Sequence, residues 1–189
     1  MTPGADQWLR AASDGDAEAW RGLIDAYAGR LYALIYRRCG DRELAEEITQ
    51  ATFVKVVSKL GDYRELGKFE AWLFRIAING LRDEMRRRKR QALSVDFGGG
   101  GQDAASQRSA VPLPLDLVDQ EERLALVRRA VASLPEADRE ILELRYTGEL
   151  TFAQIAEVLD EPLGTVLARG HRALKKLREM LRDSLMSEG

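Results

Sequence analysis

The side chains of this 189-residue sequence that could meet a charged ligand gather in three places. Arg82, Arg86, Arg87, Arg88, Lys89 and Arg90 form an almost uninterrupted basic run. Arg169, His171, Arg172, Lys175, Lys176, Arg178 and Arg182 crowd a second segment that holds few acids. Glu43, Glu46, Glu47 and Gln50 form an acidic group. A cationic helix end is ordinarily a solvated terminus favoured by the helix dipole, and an acidic helix start has the same plain explanation. The five consecutive cations at 86–90 exceed what a cap requires. They suit phosphate groups, bound with an affinity that falls steeply with salt. Catalysis has no comparable footing. His171 and Cys39 are the single histidine and cysteine, so neither a metal centre nor a nucleophile–histidine pair is expected. Gly98–Gly101 lacks the Lys-Ser/Thr that completes a phosphate-binding loop. Neither an enzyme nor a cofactor is expected.

The second basic segment is held by a recognisable pair of elements. Thr151 with Gln154 is a capping box, followed by Ile155, Ala156, Val158 and Leu159 as the inner face of a short helix. Asp160–Glu161–Pro162 is a turn, because proline disfavours a helical conformation at the residue before it and suits the start of a new helix. A longer helix follows, with Leu163, Val166, Gly170, Leu174, Leu177 and Leu181 as its inner stripe. A capped short helix, a tight turn and a basic helix make a helix-turn-helix, which places its second helix in the DNA major groove. An amphipathic hairpin with a solvated basic face is the plain alternative.

The rest of the chain also reads as helical. Hydrophobic residues make up 45 %, enough for a core, and only five prolines interrupt them. The net charge of −2 says nothing about nucleic acid, because the charges are segregated along the chain. One cysteine fits a reducing cytoplasm. Neither a signal sequence nor a membrane-spanning run is apparent, so no membrane insertion is expected. Asp14 or Asp16 can cap a helix from near Ala17, with Trp20, Leu23, Ile24, Tyr27, Leu31, Leu34 and Ile35 inward. Gly40–Asp41 ends it. The next helix, from about Arg42 to Leu60, turns Leu44, Ile48, Phe53, Val56, Val57 and Leu60 inward. A third, from Phe69 to about Arg90, buries Phe69, Trp72, Leu73, Ile76, Ala77, Leu81 and Met85. Residues 92–116, rich in Gly, Ser, Gln and Pro, read as a flexible linker. In the final block Leu117, Leu124, Val127, Val131 and Leu134 form one stripe, and the helix after Pro135 carries Ile141, Leu142, Leu144 and Tyr146. The expectation is all-α: one small domain at 1–91, a linker at 92–116, and a second domain at 117–189.

Three segments resemble regions two and four of bacterial sigma factors of the sigma-70 family, specifically the extracytoplasmic-function (ECF) group. They are ELAEEITQATF (43–53), FEAWLFRIAINGLRDEMRRRKR (69–90) and LPEADREILELRYTGELTFAQIAEVL (134–159), continued by PLGTVLARGHRALKKLRE (162–179). They are collinear and cover most of the ordered chain. The resemblance implies a promoter-specificity subunit that binds core RNA polymerase, through the β′ clamp helices and the β flap, together with promoter DNA. Glu43, Glu46, Glu47 and Gln50 would dock on the clamp helices. Leu66, Gly67, Lys68, Phe69 and Asn79 would capture an unstacked base of the −10 element, with Arg82 and Arg86 to Arg90 supplying charge. Arg145, Phe152, Thr165, Arg169, His171, Arg172, Lys175 and Lys176 would meet the −35 duplex. Trp72 belongs by its helical phase to the core. Leu167, Ala168 and Gly170 depart from the family pattern: the first two remove polar groups from the DNA-facing side, and Gly170 replaces a large apolar residue with an expected loss of packing. An anti-sigma factor is a further partner at family level. The competing readings are a free-standing helix-turn-helix regulator, which leaves 43–53 without purpose, and a sigma-like decoy that sequesters a regulator.

Overall fold

The structure, a computed structural model, describes residues 5–63, 67–95 and 115–187. Its elements are α1 (Ala5–Ser13), α2 (Ala17–Cys39), α3 (Arg42–Lys59), α4 (Phe69–Val95), α5 (Leu115–Ala132), α6 (Glu136–Tyr146), α7 (Phe152–Leu159) and α8 (Leu163–Ser187), with one 3₁₀ turn at Leu60–Asp62. The expected linker falls almost wholly outside the described residues.

Short polar caps set the boundaries. Asp16 Oδ1 accepts from the Glu18 amide at 2.8 Å and starts α2, and Gly40, at φ 69°, stops it in a left-handed conformation that glycine adopts without strain. Asp41 Oδ1 accepts from the Leu44 amide at 3.1 Å and starts α3. The capping box forms in both directions: the Gln154 amide donates to Thr151 Oγ1 at 3.2 Å, and the Thr151 amide to Gln154 Oε1 at 2.8 Å.

Helices α1 to α4 pack around Leu23, Tyr27, Leu31, Leu34, Ile35, Leu44, Leu73 and Ile78. Helical phase corrects several sequence expectations. Ile24, Val57 and Met85 are exposed. Thr49 and Thr52 take buried positions on α3 instead, their hydroxyls donating to the Ala45 and Ile48 carbonyls at 2.7 Å each. In the second block Leu124, Val127, Tyr146 and Leu163 are also exposed, while Ala130, Leu134 and Ala173 are buried. Trp72 is half-buried, stacked on Tyr63 with ring centroids 4.8 Å apart.

Gly170 does not leave a void. A Cβ there would lie 2.9 Å from Cε1 of Phe152, whose ring fills the place of the missing side chain. The expected loss of packing at this position is therefore corrected: an aromatic from α7 supplies it.

The two helical blocks are not held apart. One buried cluster contains Leu73, Phe74 and Ile78 from α4 together with Ile141, Leu144, Leu150, Ile155 and Val166 from the second block. Helix α4 is therefore buried on two sides, against α2 and α3 and against α7. Full burial of each such aliphatic side chain is worth roughly 1.5–3 kcal/mol. Polar groups set the register. Arg38 Nη1 lies 2.9 Å from Glu140 Oε1 and its Nε 3.1 Å from Glu143 Oε2. Arg82 Nη2 reaches the same Glu140 oxygen at 2.8 Å. The Arg30 guanidinium lies over the Tyr27 and Phe74 rings, donates to Glu70 Oε1 at 2.7 Å, and donates through Nε to the Gly148 carbonyl at 3.2 Å. Gly148 is required there, because a Cβ would sit 2.7 Å from the Leu144 carbonyl oxygen and 3.2 Å from Phe74.

Two stability measurements test this packing. Replacing Glu140 by alanine removes a partner from Arg82 and from Arg38, whose side chain is only 14 % exposed; the expected loss is about 1–3 kcal/mol. It should appear as a lower urea midpoint for the full chain, and an unchanged midpoint would mean that the pairs contribute nothing. Gly170→Ala should lower the melting temperature: overpacking costs typically about 1–3 kcal/mol, against a gain of about 1 kcal/mol in helix propensity. A raised melting temperature would show that Phe152 yields freely.

Candidate nucleic-acid interface

Helix α8 turns Val166, Gly170 and Ala173 into the core and leaves Gly164, Ala168, His171, Arg172, Lys175 and Arg178 exposed on the opposite side. That phase is what a helix lying in a groove requires. Lys176 is exposed on one flank, beside half-buried Thr165 and Arg169. Arg169 is engaged: its Nη1 lies 2.6 Å from both carboxylate oxygens of Glu161 in the preceding turn. Leu167, with exposed Leu163, lines the other flank.

Arg145 and Phe152 are tied to each other rather than to open solvent. The Arg145 guanidinium lies 5.8 Å from the centroid of the Phe152 ring, and Nη1 donates to the Leu150 carbonyl at 3.0 Å. Phe152 in turn packs on Gly170, so its ring serves the helix-turn-helix core.

The second grouping lies along α4 and the approach to it. Leu66 lies outside the described residues. Gly67 takes a positive φ of 84° and is exposed. Phe69 corrects the expectation of a base-capturing surface: it is 2 % exposed, and its ring meets the edges of Tyr27 and Tyr63 at centroid distances of 5.5 and 6.2 Å. Asn79 is exposed. Lys68 and Arg82 are engaged by acids of the second block, Lys68 Nζ lying 3.6 Å from Glu157 and Arg82 meeting Glu140 as described above.

Much of the basic end of α4 is paired with acids, Arg86 with Asp83 at 3.9 Å among them. Arg87 and Arg88 both pair with Glu84, at 2.7 and 3.0 Å, and Arg88 also meets Asp41 at 2.9 Å. Arg87, then Arg88, holds the Glu84 carboxyl below its usual range. The Asp41 carboxyl is also lowered, first by the Leu44 amide that it caps and then by Arg88. Arg87 is held more firmly protonated by Glu84, and Arg88 by Asp41 and then Glu84. Arg86, Lys89 and Arg90 are exposed. Arg75, which sequence reasoning passed over, sits one turn before Asn79 on the same side of α4 with its Nε buried and without a hydrogen-bond partner among the described residues. A lone cation inside the apolar run 69–78 was the signal for it.

Glu43, Glu46, Glu47 and Gln50 are all exposed on one side of α3. Exposed Val54 and Val57 continue the same stripe, since 43, 46, 47, 50, 54 and 57 recur at helical spacing. The acids thus lead into an exposed apolar strip, which corrects the expectation that Val57 faces inward.

Among the described residues no helix is long and apolar enough to cross a membrane. Residues 23–91 match the family description Sigma-70 region 2, and residues 130–179 match Sigma-70, region 4. The chain is 31 % identical to the ECF RNA polymerase sigma factor SigW of Bacillus subtilis over 179 residues, covering 93 % of this chain and 95 % of that one. It is 32 % identical to the RNA polymerase sigma-H factor of Pseudomonas aeruginosa, over 97 % of this chain and 100 % of that one. Its fold is similar to that of CnrH in a complex with the cytosolic domain of CnrY, with a TM-score of 0.67, 22 % identity and coverage of 96 % and 99 % of the two chains. It is also similar to the sigma factor RpoE of Bartonella quintana in complex with the anti-sigma factor NepR, with a TM-score of 0.64, 22 % identity and coverage of 88 % and 98 %. With both regions matched in order and full-length relatives above 30 % identity, the chain belongs to the sigma-70 family of RNA polymerase sigma factors, in its ECF group.

Proposed function

We propose that the chain is a cytoplasmic promoter-specificity subunit with no chemistry of its own, which binds core RNA polymerase and directs it to −10 and −35 elements. The observation that carries this reading is the outward basic face of α8, in a helix-turn-helix collinear with a region 2 block that ends in its own basic run. The acidic and apolar stripe of α3, from Glu43 to Val57, is the polymerase-docking surface. Acids there would aid encounter and register with a basic partner, and the exposed valines would supply apolar area. Asn79 and the cations Arg75, Arg82 and Arg86 to Arg90 face the melted −10 strand, and α8 reads the −35 duplex. The similar fold of a sigma factor solved in complex with the anti-sigma factor NepR favours such a partner for this chain too.

Lys68 and Arg82 would share their donors between Glu157 or Glu140 and DNA phosphates, so DNA competes with these contacts. Engagement of DNA by these two cations would therefore weaken the contacts between blocks.

Run-off transcription with purified bacterial core polymerase on pooled genomic fragments tests the function. Discrete start sites that depend on the chain are expected; tight duplex binding by the chain alone, without transcripts, would instead favour a free-standing regulator. Replacing Arg169 and Arg172 together by alanine should abolish promoter binding by the holoenzyme while core binding persists, as read by gel filtration. Glu47→Lys with Gln50→Ala should weaken core binding, and unchanged affinity would overturn the docking assignment.

A further inference from the structure

Glu161 stands in the turn just ahead of α8, where phosphates of a bound duplex would repel it. Its position is nonetheless built with care. Asp160 adopts a left-handed conformation at φ 56°, ψ 43°, the Glu161 amide donates to the Ala156 carbonyl at 3.0 Å, and Pro162 fixes the exit. The carboxylate so placed holds Arg169 by Nη1 alone, with both oxygens at 2.6 Å and each side chain 29 % exposed.

The choice of nitrogen matters. Arg169 Nε and Nη2 have no hydrogen-bond partner among the described residues. Their N–H groups lie along one edge of the planar guanidinium, as a fork of two parallel donors. That fork matches the O6 and N7 acceptors that guanine presents in the major groove. An unrestrained arginine would lose much side-chain freedom on making such a contact, whereas one already held at its far corner loses less.

We propose that Glu161 is the positioning residue for Arg169, which it holds so that the Nε–Nη2 edge meets one guanine of the upstream promoter element. This rests on the reading of α8 as the −35 helix. A casual surface pair is the plain alternative, and such pairs contribute little.

The test uses holoenzyme reconstituted from the full chain, and a promoter fragment recovered by run-off transcription. The fragment is resynthesised with 7-deazaguanine at one upstream guanine at a time, which removes the N7 acceptor but keeps pairing with cytosine. One substitution should weaken binding by wild-type holoenzyme roughly tenfold, the scale of a hydrogen bond to a charged donor. Arg169→Ala should erase that ratio. Glu161→Ala should reduce it several-fold, Glu161→Gln should retain part of it, and Glu161→Ala should have no effect on it when Arg169 is already alanine. A general loss of folding would lower affinity for both fragments and leave the ratio intact. The proposal is overturned if the ratio survives in Glu161→Ala, if Glu161→Ala lowers it equally without Arg169, or if no upstream 7-deazaguanine affects the wild type. Absence of any start site would instead overturn the sigma-factor reading itself.

Discussion

Charge that is nearly withdrawn from water must find a partner, and two arginines of α2 impose that condition on the whole molecule. Arg30 and Arg38 interrupt an otherwise apolar stripe, and their side chains are 18 % and 14 % exposed. Left alone, each would carry a heavy desolvation penalty. Arg38 is satisfied by Glu140 and Glu143 of α6, and Arg30 by Glu70 and the carbonyl of Gly148. Apolar contact between the blocks is non-directional and would tolerate many orientations. These directed bonds select one of them, and the close approach at Gly148 follows from that choice.

The same arrangement occupies several cations that the proposed promoter complex would need. Lys68 meets Glu157, Arg82 meets Glu140, and Arg169 meets Glu161. At Lys68 and Arg82 the acids compete with phosphates for the same donors, whereas Glu161 takes only Nη1 of Arg169 and leaves its Nε–Nη2 edge open. Two of the three pairs cross between blocks, while the third lies within the helix-turn-helix, so they need not respond together. Lys68 and Arg82 remain substantially exposed, at 52 % and 41 % of their side chains. Their pairs are screened and weak, and they can be exchanged for DNA at small cost.

The sequence made the elements legible where a local signal stops the chain. Asp16, Gly40–Asp41, the Thr151–Gln154 box and Asp160–Glu161–Pro162 all act within a few residues, and their caps form as their chemistry requires. The charged surfaces were legible for the same reason, since helical spacing alone groups Glu43, Glu46, Glu47 and Gln50. Contacts between distant segments were not. Phe74 and Ile78 fall off the main stripe of α4, and nothing local says that α7 covers them. Two arginines in the stripe of α2 could have announced a polar partner but could not identify it. Gly170 read as a loss of packing because the ring that replaces its side chain comes from Phe152, eighteen positions away.

Gln154 divides its amide between two duties. The carbonyl oxygen accepts from the Thr151 amide and starts α7, whereas the nitrogen donates to Glu70 of the other block at 2.6 Å. A helix start and a contact between blocks thus share one side chain without sharing an atom. Glutamate satisfies a capping box as well as glutamine does, but it would face Glu70 with like charge. The grip between the blocks is therefore evolvable by a single base change, from CAG to GAG or from CAA to GAA, that leaves the helix-turn-helix its start. This chain thus has a route to looser closure that leaves its helix-turn-helix undamaged.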